Sequence, residues 1–193
     1  MNDIDIRLAF KNDWQSQLPE AMRLLGDVAD TLKTFQLPWC MVSGTLLGSV
    51  RHGGAIPWDH DMDISVFRLS DTIDRLSEEL QRRKMRCIQQ ESVRGDFYKI
   101  TYGSSTPCVD VFYHELLNEA TVRSHGGATN LFTDVPVDSW FPYSQSPFGG
   151  LVLPTPSVPE VYLDTLYPGW KEYGVNINGQ IAPMSKLREM GLC

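Results

Sequence analysis

The sequence predicts an α/β (α+β) chain in which helices flank a mixed β-sheet, and three observations lead to that reading. Residues 14–35 carry apolar side chains at helical spacing. From there to residue 84, short apolar runs alternate with helical segments, the order that builds a helix-covered sheet. Between 85 and 113, strand-like runs then follow one another with no helix between them, which makes the sheet mixed. At 193 residues, one domain covering 1–193 is expected, with ample chain for a full core.

Residues 1–11 are polar and mixed, and read as a loose or surface-bound arm. Trp14, Leu18, Met22, Leu25, Ala29, Leu32 and Phe35 recur at steps of three and four, forming the buried face of an amphipathic helix. Pro19 fits a first helical turn, which places the start of the regular helix there. Gln36-Leu37-Pro38 breaks this helix before a strand at Trp39–Val42. After the central stretch 39–67, Ser70 or Asp71 caps a helix with Leu69, Ile73, Leu76 and Leu80 on one side, ending near Lys84. Its basic end, Arg82, Arg83, Lys84 and Arg86, reads as a solvated turn complementing the helix dipole rather than as a phosphate site. Strands are expected at Met85–Gln90, at Phe97–Tyr102 after a turn at Gly95-Asp96, and at Cys108–Tyr113. Glu119–Arg123 suits a hairpin strand, His125-Gly126-Gly127 a turn, and 138–150 an aromatic, turn-rich stretch. Ser157 and Glu160 form a capping box for a short helix to Leu166, halted by Pro168-Gly169.

The chemistry is concentrated in residues 39–67, WCMVSGTLLGSVRHGGAIPWDHDMDISVF. They read as a strand, a glycine-bracketed turn and helix, a loop closed by Pro57, and a second strand carrying Asp59, Asp61 and Asp63. Alternate side chains of a strand share a face, so the three carboxylates are expected on one side and Met62, Ile64 and Val66 on the other. Two unit charges ~4 Å apart repel by about 4 kcal/mol at an effective dielectric of 20, so a half-buried acidic strand needs a compensating cation. Oxygen ligands with no nearby Cys or paired His favour Mg²⁺ or Mn²⁺ over Zn²⁺; a solvated acidic strand is the alternative. Asp110, alone between Val109 and Val111, is expensive to bury unpartnered, unless it faces solvent from an edge.

Ser43-Gly44-Thr45 opens a helix directly after a strand, where amides and hydroxyls can hold a phosphate. No Gly-Lys-Ser/Thr follows, so this is not a Walker A loop. Arg51 either clamps a diphosphate or pairs with a strand carboxylate, and His52 either contacts substrate or supports the loop. Lys99, mid-strand among aromatics, meets the carboxylates, meets a phosphate, or faces solvent. His60 alternates away from the acidic face and is assigned no part in catalysis. Trp140, Phe141, Tyr143 and Phe148 are read as core before acceptor pocket.

The run Ser43-Gly44-Thr45-Leu46-Leu47-Gly48, Arg51-His52, Ile56-Pro57-Trp58-Asp59 and Asp61-Met62-Asp63-Ile64 resembles the signature of the LicD family, which includes bacterial phosphocholine transferases and animal fukutin-related proteins. The resemblance is strong in 39–67 and patchy on either side, and Tyr167-Pro168-Gly169-Trp170 departs from the family's Tyr-Gly step. It implies a nucleotidyltransferase-like fold, with a signature core at 39–113 and a C-terminal accessory segment at 114–193. It further implies catalytic carboxylates at Asp61, Asp63 and Asp110, metal ligation by these and Asp59, and donor contacts from Ser43, Gly44, Thr45, Arg51, His52 and Lys99. The implied reaction is Mg²⁺-dependent transfer of phosphocholine, phosphoribitol or phosphoglycerol from a CDP-linked donor to a sugar or polyol hydroxyl, releasing CMP. Nucleotidyl transfer from an NTP to a small molecule, or a non-catalytic glycan- or partner-binding domain, are the alternatives.

Composition narrows the partners. A formal net charge of −7 argues against a nucleic-acid polymer as substrate. The four cysteines are far apart, and Cys40 and Cys108 read as buried thiols rather than a disulfide framework. His52, His60, His114 and His125 lack zinc-ligand spacing. With no apolar run near the ~18 residues of a membrane span and no leader pattern, a soluble, cytoplasmic chain is expected.

Overall fold

Ile6 and Phe10 are buried, and that burial turns the expected N-terminal arm into a helix, α1 (Asp3–Ala9). The computed structural model describes residues 3–11, 13–68, 72–90, 97–103, 105–125, 132–176 and 178–193. The expected cap at Ser70 or Asp71, Leu69, the Ile73 side chain, and the turns at Gly95-Asp96 and Gly126-Gly127 lie outside the described residues. Helix α2 (Trp14–Thr34) runs through Pro19 instead of starting there. The buried Trp14 anchors the extra turn, and Ala21, Leu24, Leu25, Val28 and Leu32 form the buried face.

Strand β1 (Trp39–Met41) leads into α3 (Ser43–His52), which ends at Gly53 in the left-handed region, φ 69°. Leu46 and Leu47 face the core, and a Cβ on Gly48 would lie 2.4 Å from the Gly54 carbonyl oxygen, so the returning loop needs glycine there. Then come β2 (Met62–Phe67), α4 (Thr72–Arg82), the hairpin β3 (Arg86–Gln90) and β4 (Phe97–Thr101), and the long β5 (Val109–Asn118). At the end of α4, Arg82 and Arg83 pair with Glu78 and Glu79 on its exposed side. Strands β6 (Thr121–His125) and β7 (Phe132–Pro136) extend the sheet beyond β5.

The sheet order is β1-β2-β5-β4-β3, with β6 pairing β5 and β7. Only β2 and β5 pair in parallel among the described residues; the sheet is mixed but mostly antiparallel, with helices flanking it. Helix α2 packs beside α4, and α3 packs on β2.

The remaining elements are α5 (Val137–Trp140), the hairpin β8 (Ser144–Phe148) and β9 (Leu151–Thr155), α6 (Pro159–Leu166), the hairpin β10 (Tyr173–Val175) and β11 (Ile181–Pro183), and α7 (Met184–Glu189). Strands β7 to β9 carry too little alternation to be seen in sequence. The N-cap of α6 is Val158, with no side-chain cap in place of the expected Ser157–Glu160 box; Pro159 instead starts the helix with its preset φ. Trp140 and Phe148 are fully buried, and Phe141 and Tyr143 pack against the core. All four cysteines are free thiols. No helix among the described residues is long and apolar enough to cross a membrane.

Candidate active site

Two of the three signature carboxylates precede the strand instead of lying on it. Pairing with β5 begins at Met62 opposite Val109, so Asp59 and Asp61 belong to the loop before β2. That loop is set by a turn in which the Asp59 amide donates to the Ile56 carbonyl (3.1 Å), and by the buried Trp58, whose indole N–H donates to the Val175 carbonyl (3.0 Å). Off the strand, the rule of two fails, and His60 is not turned away. Its Nε2 lies 3.2 Å from Asp61 Oδ2 and its Nδ1 lies 3.5 Å from Asp59 Oδ1.

Asp63 and Asp110 are direct neighbours across the parallel β2–β5 pair, and Lys99 is opposite Asp110 across β4–β5. Register alone therefore brings the three side chains to one face. Asp61, Asp63 and Asp110 offer carboxylate oxygens within 4.8 Å of one another, and Asp59, His60 and Asp61 form an adjoining set. The Gly44 amide donates to Asp63 Oδ2 (3.0 Å), placing a carboxylate at the positive end of α3. The Thr45 hydroxyl accepts the Asp63 amide (2.6 Å). A Cβ on Gly44 would lie 2.7 Å from Asp59 Oδ2 and 3.1 Å from Asp63 Oδ2, so only glycine lets the helix come this close.

Lys99 Nζ is 2.8 Å from Asp110 Oδ1 and 3.1 Å from Cys108 Sγ. It meets the carboxylates, one of the options its position left open. The contact is an ion pair rather than a well-angled hydrogen bond, and the buried Oδ1 has no such donor among the described residues. Burial, then the charge of Asp59, pushes the Asp61 carboxyl up to about 7. Burial, then Asp61, raises Asp63 well above the usual carboxylate range. Burial also raises Asp110, with Lys99 opposing. Lys99 and the His60 ring beside Asp61 do not offset three converging carboxylates, which burial and mutual repulsion keep from ionising together. The donors of the Asp61, Asp63 and Asp110 set are all oxygens. An oxygen set of this kind suits a hard cation, and the cluster could bind a metal.

Comparison with known proteins places the chain in a family and a fold. Residues 36–158 match the profile of the LicD/FKTN/FKRP nucleotidyltransferase domain. The chain belongs to the LicD family. It is 26% identical over 159 residues to an uncharacterised protein of Rickettsia typhi, covering 79% of this chain and 47% of that one. It is 31% identical over 85 residues to the human ribitol 5-phosphate transferase FKRP, covering 40% of this chain and 17% of that one. The chain thus spans about half the length of the first relative and under a fifth of the second. Among solved structures, ANT(2")-Ia in complex with adenylyl-2"-tobramycin superposes with a TM-score of 0.52 at 15% identity, covering 88% of this chain and 85% of that one. The lincomycin-bound lincosamide antibiotic adenylyltransferase LnuA gives 0.51 at 10%, covering 88% and 95%. These likenesses show a nucleotidyltransferase-like fold.

Within this LicD-family chain, Ser43, Arg51 and His52 make their contacts with the protein framework. Ser43 adopts the left-handed region, φ 45°, a strained conformation for a non-glycine residue, with its hydroxyl 3.5 Å from the buried Tyr162 hydroxyl. Arg51 Nη1 donates to the carbonyls of Trp170 (2.8 Å) and Tyr173 (3.1 Å). Burial lowers it to about 10, so it stays cationic at neutral pH. It thus holds the chain after α6, an option that neither expected role covered. His52 meets Trp58 edge-on at 5.7 Å, and burial followed by the Arg51 charge lowers it to about 4, keeping it neutral.

The sequence does not single out Tyr162, assigns His60 no part, and marks Tyr167 only as part of a departure from the family's pattern. Tyr167 is pushed well above the usual phenol range, by burial first and then by the Asp63 charge. No local pattern marks Tyr162 within α6; only the packing of α6 against α3 brings it to Ser43. A cleft of about 360 Å³ opens beside the carboxylates, with Gly44, Trp58, Asp59, Tyr167, Trp170 and Tyr173 on its lining.

Proposed function

We propose that this chain is a phosphotransferase that moves a phospho-alcohol from a CDP-linked donor to a hydroxyl of a sugar or polyol, releasing CMP. One observation carries the reading: Asp61, Asp63 and Asp110 converge at the head of α3, in a LicD-family chain similar to a ribitol 5-phosphate transferase. Asp61, Asp63 and Asp110, with Asp59, would hold Mg²⁺ or Mn²⁺. Such an ion, when bound, supplies positive charge to the diphosphate and its leaving oxygen.

The chain's own residues do the rest. Gly44 lets the Asp59 and Asp63 carboxylates sit against the head of α3, where any side chain would collide with them. Asp110 accepts the proton of the attacking hydroxyl, its pKa raised by burial towards the range a base needs. Lys99 holds Asp110 in place from 2.8 Å. Thr45 fixes the backbone of Asp63, Arg51 holds the chain after α6 at Trp170, and His52 packs edge-on against Trp58. The acceptor oxygen forms a bond to the phosphorus bearing the alcohol as the bond to CMP breaks, and CMP departs with that bridging oxygen.

The test is a thermal-shift panel with CDP, CMP, ATP, GTP and CDP-alcohols, each with and without Mg²⁺, because a ligand of the folded state raises its stability. Mg²⁺-dependent stabilisation by CDP-alcohols, lost in Asp61→Asn, is expected, with CMP release on adding a polyol acceptor. Preference for ATP or GTP would replace this reading with nucleotidyl transfer. No response to any nucleotide would leave a non-catalytic binding domain.

A further inference from the structure

The cleft beside the carboxylates has walls of ring and hydrocarbon: Trp58, Tyr167, Pro168, Trp170 and Tyr173. Four of its polar side chains are already engaged with the framework. Arg51 Nη1 donates to two backbone carbonyls, and Trp58 Nε1 to the Val175 carbonyl. Trp170 Nε1 donates to Asp164 Oδ1 (2.8 Å), and Asn176 Nδ2 to the Ala9 carbonyl and Gln180 Oε1. Beyond the Asp59 and His60 end of the cleft, a polyol would exchange its hydrogen bonds to water for mostly apolar walls, which is unfavourable. A flat unsaturated ring would lose little and gain stacking area.

Asp59 belongs both to this cleft and to the carboxylate group, so a ligand with phosphates at the carboxylates would extend directly into the cleft. We infer that the cleft is the nucleobase subsite of the donor, with Tyr173 as a stacking face, and that it reads the base by shape and stacking rather than by hydrogen bonds. The inference rests on the proposed nucleotide-linked donor. Arg51 is then a positioning residue: it holds the carbonyls of Trp170 and Tyr173, on the wall that carries both rings. Gly174 lets that wall close, since a Cβ there would lie 2.9 Å from Trp58 Cζ2. Every base has a face to stack, so this subsite distinguishes cytosine from uracil only weakly.

Isothermal titration of the whole chain with CDP, UDP and inorganic pyrophosphate, all in Mg²⁺, tests the inference against Tyr173→Ala and Tyr173→Phe. Tyr173 is 48% exposed, so neither substitution opens the core. CDP and UDP are expected to bind within about fivefold of each other, and roughly tenfold or more tighter than pyrophosphate. Tyr173→Ala should cost both nucleotides roughly tenfold and leave pyrophosphate unchanged, whereas Tyr173→Phe should retain wild-type affinities. A preference for CDP over UDP of about a hundredfold would overturn readout by stacking. Equal losses for pyrophosphate, or no loss in Tyr173→Ala, would overturn the role of Tyr173. Nucleotides binding no tighter than pyrophosphate would overturn the subsite while leaving the carboxylate site and the proposed transfer standing. Binding of none of the probes would overturn both.

Discussion

Asp61→Asn should make the metal-free protein more stable while abolishing its activity. Burial and the neighbouring Asp59 raise the Asp61 carboxyl from 3.8 to about 7. At ~1.4 kcal/mol per pH unit, keeping it ionised in the fold costs on the order of 4 kcal/mol above pH 7. The sign follows from the raised value: the penalty is absent below 3.8, where folded and unfolded chains are both protonated, and is complete once pH has risen past about 7. Asparagine removes the charge but weakens the contact with His60 at 3.2 Å, so a net gain of about 2–3 kcal/mol is expected at pH 8. For a chain of this size, that is a Tm increase of roughly 4–12 °C. Melting in EDTA at pH 8 and pH 5 reads it directly, and the gap should shrink by more than half at pH 5. Adding Mg²⁺ should raise the Tm of wild type more than that of the variant. A variant melting at or below wild type at pH 8 would refute the argument that this cluster stores repulsion for a cation to relieve.

Other perturbations separate the parts of the site and the fold. Lys99→Met removes the cation 2.8 Å from Asp110; the metal-free chain should lose roughly 1–3 kcal/mol in urea denaturation while Mg²⁺ binds more tightly by calorimetry. Unchanged Mg²⁺ binding in that variant would place the metal away from Asp110. Gly44→Ala puts a Cβ 2.7 Å from Asp59 Oδ2, and should reduce turnover by about a hundredfold or more, with circular dichroism unchanged. His114 is fully buried between Ser65 and Tyr143, and burial lowers it from 6.5 to about 3. An unfolded histidine takes a proton below 6.5 and the folded one does not, so stability from this group falls by ~1.4 kcal/mol per unit as pH drops from 6.5 towards 3. Urea midpoints at pH 7 and 5 should therefore diverge less in His114→Gln than in wild type.

What the sequence by itself determined was the family signature and its local frame. The strand–glycine–helix entry at 39–52, the acidic triplet, and Asp110 between valines all follow from short-range rules of period, glycine and charge, and those rules do not depend on distant packing. The same rules misplaced Asp59, Asp61 and His60, because a period of two holds only where a partner strand enforces it, and pairing with β5 starts at Met62. They also missed α1, whose helix is stabilised by burying Ile6 and Phe10 rather than by its own composition. Tertiary structure alone decided which groups meet: Asp63 beside Asp110, Lys99 against Asp110, Tyr162 against Ser43, and Arg51 on the carbonyls of Trp170 and Tyr173. Those partners lie 11 to 122 residues apart in the chain. Their contacts come from strand register and from the packing of the C-terminal segment over α3, and no local pattern encodes either one.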